Sequence, residues 1–489
     1  MLFNSLRYLV FFPIVICIYF IIPDRIKYIW LLLSSYYFYM CWNAKYAFLI
    51  LFSTIVTWFC GLLLEYISKK KVLYKKVIVA SSLILNLSIL AYFKYTNFLL
   101  QNLERFFGVS LAAAEVDILL PVGISFFTFQ ALGYTIDVYR GEIAAEKNIL
   151  RYALFVSFFP QLVAGPIERS KNLLTQLKVP THFNVKYLRE GLLTIAYGLF
   201  IKIVIADSIS QVVDPVFSDP MSYGGMELLT VTILFAFQIY CDFDGYTRIA
   251  IGSARILGYH LNPNFDSPYM AISVKDFWKR WHISLTSWFR DYLYLPLGGN
   301  RKGKWRKQVN TMIVFLCSGL WHGAAWHYVI WGGINGMLSC AEDICKTRWT
   351  GFKTKYHIDD SRKLYSLLCG IVTFIVIDIT WLFFRAKSVR HALYIITAIA
   401  RDFRFEWFLT GAYSDLFSSV GLMIIIMVSL VLMGIVDYLN RKGRRLNDII
   451  LSQQICIRWL IYWAIFIIIL YWGIYGNDFR QTQFIYFQF

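Results

Sequence analysis

The chain has 489 residues, 58% of them hydrophobic and 16% charged, and a mean hydropathy of +0.55. A soluble globular protein carries about 45–50% apolar and about 25% charged residues, so this composition excludes a soluble globule. The apolar residues come in continuous helix-length runs rather than in alternation, which also excludes a membrane barrel. The formal charge is +18, from 48 Lys+Arg against 30 Asp+Glu. It sits between the apolar runs, where basic residues orient a membrane chain and meet anionic lipid headgroups; no nucleic-acid partner is expected.

In chain order, apolar runs fall at Leu6–Ile22, Tyr46–Ile67, Val77–Leu100, Leu228–Tyr240 with its flanks, Gly370–Phe384, Val420–Val436 and Trp459–Tyr475. With the shorter and half-polar segments they predict roughly 10–13 crossings. The first run reads as an uncleaved span: no small-residue cleavage site follows it, and Pro23-Asp24-Arg25-Ile26-Lys27 leads straight into the next apolar run. Lys69-Lys70-Lys71 with Lys75-Lys76 predicts a cytoplasmic loop, as do the basic stretches 169–189, 275–307 and 441–445. That assignment puts both termini outside. It also creates a conflict, because the basic stretches 346–363 and 385–404 are separated by one span. Either one of them breaks the charge rule or a segment there does not cross fully.

No linker or low-complexity stretch interrupts the chain. One membrane-embedded domain over 1–489 is expected, with N-terminal helices over 1–110, a core over 117–345 and C-terminal helices over 364–489. The nine cysteines are scattered and form no CxxC pair, so neither a metal cluster nor a disulfide framework is predicted.

Three stretches are atypical of plain spans. Leu119-Leu120-Pro121-Val122-Gly123 opens an apolar run that closes on Asp137-Val138-Tyr139-Arg140-Gly141; Phe159–Pro166 carries two prolines; and Arg248–Arg255 follows Asp242 and Asp244. Broken helices and charges at membrane depth survive where they line a cavity or pack inside protein, which suggests an interior polar path.

The stretch 275–292 is rich in Trp and basic residues, and its apolar positions 277, 278, 281, 285, 288, 289 and 292 keep helical spacing. It predicts one amphipathic helix at the cytoplasmic interface, with His282 bordering its apolar face. On these residues alone His282 reads as a packing residue. His322 is different. About twelve apolar residues separate it from the basic loop that ends at Lys307, a rise of about 18 Å, so it is expected near mid-membrane beside Gly323. An ionisable residue at that depth is a functional candidate, and imidazole accepts and releases protons near neutral pH. His327 lies five residues on, not four, so the pair does not match a helical zinc motif, and no metal site is predicted. There is no GxSxG elbow and no P-loop.

Arg280-Trp281-His282-Ile283-Ser284, Arg290–Arg301 (RDYLYLPLGGNR) and Leu320-Trp321-His322-Gly323-Ala324-Ala325-Trp326 resemble the membrane-bound O-acyltransferase (MBOAT) superfamily, and within it the alginate O-acetyltransferase membrane-subunit branch. Pro121–Gln130, Ala164-Gly165-Pro166-Ile167-Glu168-Arg169 and the terminal Phe484–Phe489 are similar to the same branch. The resemblance implies an all-α integral membrane fold, a ring of tilted helices with re-entrant and interfacial pieces around a central funnel or tunnel. It implies that His322 is the catalytic histidine and His282 the second functional one, with Trp281, Trp321, Arg290 and Asp291 of the same motifs as substrate-binding residues.

It further implies a multi-pass protein of a bacterial cytoplasmic membrane that binds no cofactor. The donor would be acetyl-CoA or another acyl thioester from the cytoplasm. The acceptor side would be an exported polysaccharide or an extracytoplasmic SGNH-type acetyltransferase partner. A related branch instead takes D-alanine from a carrier protein for teichoic acid. A transporter with a buried proton relay, or a scaffold of an export complex, would share the spans but not the ordered motifs. One departure stands out: where the branch reads Asp-Phe-Ser-Gly-Tyr-Ser-Asp, this chain has Asp242-Phe243-Asp244-Gly245-Tyr246-Thr247-Arg248. It bears on the identity of the acyl group or acceptor. His327 is outside the motif and is assigned no role.

Overall fold

A computed structural model describes residues 1–68, 70–108, 119–163, 165–359, 362–404 and 406–474. Lys69, Ala164, Tyr475 and the terminal run Phe484–Phe489 lie outside the described residues. Those described form helices and turns and no strand. They group into two units, residues 1–195 with 246–263 and residues 196–245 with 264–489.

The first unit contains α1 (Leu6–Ile21), α2 (Lys27–Met40), α3 (Ala47–Tyr66), α4 (Val72–Phe107), α5 (Ile124–Arg140), α6 (Ile149–Ser157), the four-residue α7 (Phe159–Leu162) and most of α8 (Val185–Leu199). Several charged side chains of this unit have hydrogen-bond or ion-pair partners within it. Glu168 accepts from the Asn262 amide at 2.5 Å and from Asn172 Nδ2 at 2.6 Å, and Ser170 donates to Asp137 at 2.5 Å. Arg255 pairs with Glu190 at 2.7 Å and lies over the Tyr187 ring. Gly123 takes a left-handed φ of +73°, and a Cβ there would stand 2.6 Å from the Leu162 carbonyl oxygen. Only glycine fits both constraints, so the Pro-Val-Gly run is a packed turn opening α5.

The second unit holds α9 (Asp207–Ser218), the first part of α10 (Gly225–Ile256), the short α11 (Val274–Arg280) and α12 (Ile283–Phe289), then α13 (Lys304–His322), α14 (Trp326–Lys355), α15 (Lys363–Arg385) and α16 (Val389–Arg401). It closes with α17 (Glu406–Leu409), α18 (Val420–Arg441), α19 (Leu446–Leu451) and α20 (Ile455–Trp472). A π-helical stretch, Phe200–Ala206, joins α8 to α9 and aims Lys202 into the interior. There Lys202 Nζ lies 2.7 Å from Asp207 and 2.5 Å from Asp242, all three buried. A buried cation shared by two carboxylates is the arrangement that offsets the desolvation of each.

Among the described residues seven helical segments are long and apolar enough to cross a bilayer, and Leu6–Ile21 is a shorter apolar helix. The sequence count of roughly 10–13 also takes in shorter and half-polar segments. The segment 185–218 is the one not picked out as an apolar run; its Lys186, Arg189, Glu190, Lys202 and Asp207 mask it. α15 has 23 residues, enough to cross, whereas the 13 residues of α16 span only about 20 Å. The two conflicting basic stretches therefore flank one crossing-length helix.

Candidate active site

The amphipathic stretch 275–292 does not form one helix. It is broken at Trp281-His282 into α11 and α12, followed by a π turn at Arg290–Tyr294. The break has a local cause. The Asp266 amide donates to the Arg280 carbonyl at 3.1 Å, and the Ile283 amide donates to the Asn264 carbonyl at 2.9 Å. Ser284 adds a side-chain bond to Asn264 Oδ1 at 2.6 Å. The segment 264–266 thus clasps the chain on both sides of residues 281–282 and takes the bonds a continuing helix would have used. Between the two clasps His282 sits at φ +44°, ψ +54°, a left-handed conformation that costs a non-glycine residue roughly 1–2 kcal/mol. Asn264 was not foreseen from the sequence, because a buried loop asparagine has no periodicity to betray it.

The turn drives His282 inward. It is 2% exposed, with its ring edge-on to Phe243 at 4.7 Å and near Trp321 at 5.8 Å. Burial pushes its imidazole down to about 3, so it is neutral across the physiological range.

His322 is the last residue of α13, 4% exposed. The helix stops at Gly323, where a Cβ would stand 2.1 Å from the Tyr328 ring, so only glycine fits there. Close approach of α13 to α14 likewise depends on Gly319 and Gly332, where a Cβ would meet the carbonyl oxygens of Tyr328 at 2.4 Å and Phe315 at 2.3 Å. The His322 ring is walled by Trp321 at 4.9 Å, Trp331 at 5.1 Å and Phe384 at 5.4 Å. His282 lies 6.5 Å away, centroid to centroid.

Of the other residues singled out, Trp321 touches both imidazoles. Trp281 is buried one layer back, against Phe265, Phe277 and Trp381. Arg290 and Asp291 pair with each other at 2.8 Å on the turn after α12, with Arg290 exposed. His327 Nδ1 donates to the Phe383 carbonyl, 3.0 Å away, joining α14 to α15. Sequence reasoning missed Phe243, Trp331, Trp381 and Phe384, which come from three further helices. The only signal for them was the aromatic content, and that does not say which rings meet.

The arrangement is two buried, closely spaced imidazoles in an aromatic enclosure, suited to proton transfer with water held away. The sequence profile of the membrane-bound O-acyltransferase family (MBOAT) matches residues 40–386. The chain is 34% identical over 396 residues to the probable alginate O-acetylase AlgI of Pseudomonas aeruginosa, covering 80% of this chain and 73% of that protein. It is 34% identical over 428 residues to the peptidoglycan O-acetyltransferase of Helicobacter pylori, covering 81% and 79%. The teichoic acid D-alanyltransferase of Bacillus subtilis is 27% identical over 281 residues, 55% of this chain and 70% of the relative. A match over most of its length makes this multi-pass membrane protein an acyltransferase, and it belongs to the membrane-bound O-acyltransferase family.

Proposed function

We propose that the protein takes an acyl group, acetyl before others, from a cytoplasmic thioester such as acetyl-CoA and passes it outward for O-acetylation of a cell-surface polysaccharide, with His322 as general base. The observation that carries this reading is the buried His322–His282 pair, 6.5 Å apart within aromatic walls. In the reaction the acceptor hydroxyl oxygen adds to the thioester carbonyl carbon while His322 takes the hydroxyl proton. The carbon–sulfur bond then breaks, and the leaving sulfur recovers the proton from the imidazolium. The products are an ester and a free thiol. His282, held neutral by burial, assists donor placement or proton movement.

Acetyl is favoured over D-alanyl because the relatives named for acetyl transfer match more of the chain at higher identity than those named for D-alanyl transfer. The acceptor is a polysaccharide hydroxyl or an extracytoplasmic acetyltransferase partner that hands acetyl on, and the location is a bacterial cytoplasmic membrane. Membranes carrying the wild-type chain and supplied with acetyl-CoA and acceptor should release free thiol, and His322→Ala membranes should not. Equal release from both would remove His322 from the chemistry.

A further inference from the structure

Trp331, on α14, is 1% exposed, and its ring stands perpendicular to that of His322 with centroids 5.1 Å apart. It is fixed on three sides by Trp278 at 5.6 Å, Phe384 at 5.1 Å and the stacked Trp381 at 5.7 Å. Among the described residues no acceptor meets its indole Nε1–H. The half-buried Trp278 beside it donates to Asn335 Oδ1 at 3.3 Å, whereas among the described residues the Nε1–H of the stacked Trp381 also meets no acceptor. A buried donor left without an acceptor costs stability, and that of Trp331 lies directly against the candidate base.

We propose that the Trp331 indole N–H is the donor that stabilises the acyl carbonyl oxygen during transfer. This rests on the reading of His322 given above. As the acceptor oxygen adds to the thioester carbon, the carbonyl oxygen gains a negative charge, which it loses again when the carbon–sulfur bond breaks. Trp331 supplies a hydrogen bond to that oxygen and keeps its proton throughout. A neutral donor suits the place: it strengthens as charge develops in a water-poor enclosure, yet brings no cation beside an imidazole that must become one.

The test exchanges the N–H alone. Benzothienylalanine at position 331 replaces the indole N–H with sulfur at nearly the same shape, and Trp331→Phe keeps a ring but shortens it. The readouts are the initial rate of O-acyl ester formation on surface polymers, at equal membrane levels, and the melting temperature of the purified full chain. Both variants should be slower by about 100-fold, and the benzothienyl protein should melt at or above the wild-type temperature. Two outcomes overturn the proposal: a benzothienyl rate near wild type, in which case a slow Trp331→Phe reflects shape alone, or a benzothienyl melting temperature that falls with the rate. His322→Ala run in parallel separates the two claims. If it still forms esters, the reading of the site fails and Trp331 with it; if it forms none while the benzothienyl protein is normal, only Trp331 fails.

Discussion

The His282 and His322 rings lie 6.5 Å apart although one belongs to a helix break and the other to a helix end. Neither position is produced by helical periodicity. His282 arrives through a left-handed residue clasped by Asn264, and His322 through the end of α13 at Gly323.

The clasp gives the first prediction. Asn264→Ala removes the acceptor of the Ser284 hydroxyl in a fully buried setting, which should cost about 1–3 kcal/mol and lower ester formation by loosening His282. Ser284→Ala removes the same bond from the other side. The double variant should therefore cost clearly less than the sum of the two singles in thermal unfolding. Full additivity would show that the two side chains do not act together.

The second concerns pH. Burial lowers the His282 pKa from its ordinary value near 6.5 to about 3. Below pH 6.5 the unfolded chain takes up a proton that the folded chain refuses until near pH 3. The neutral form's contribution is thus fully present above pH 6.5 and is lost as pH falls through that window, at up to about 1.4 kcal/mol per pH unit. Wild type should melt at lower temperature at pH 5 than at pH 7, and His282→Asn, which tolerates the left-handed backbone, should show a shallower decline. Parallel declines in the two proteins would contradict a buried neutral His282.

The third tests the close approach of α13 and α14. Gly332→Ala sets a Cβ 2.3 Å from the Phe315 carbonyl oxygen, where backbone must move, whereas a Cβ on the adjacent Gly333 meets only Leu316 Cδ2 at 3.6 Å. Gly332→Ala should destabilise the protein by about 1–3 kcal/mol or more and reduce ester formation as His322 shifts, and Gly333→Ala should do neither. The melting temperatures of the two variants decide it.

Much of this was legible in the sequence. The apolar runs located six of the seven crossing-length segments found among the described residues, because continuous burial in lipid demands them. The Trp-His and His-Gly motifs located both imidazoles. What escaped had a common cause. The break of 275–292 depends on hydrogen bonds from the distant segment 264–266, which a local apolar pattern cannot register. The span at 185–218 was hidden by charges that are neutralised only in three dimensions, Lys202 by Asp207 and Asp242. Trp331 and Phe384 belong to helices whose many aromatic residues look alike until packing chooses among them.

The central claim is that His322 performs acyl transfer, and the most direct measurement is the ester content of cell-surface polymers, by mass spectrometry, in cells carrying wild type or His322→Ala at equal membrane levels. The account predicts that O-acetyl esters present with wild type disappear in the variant. Unchanged esters, where wild type is shown to be required for them, would contradict it.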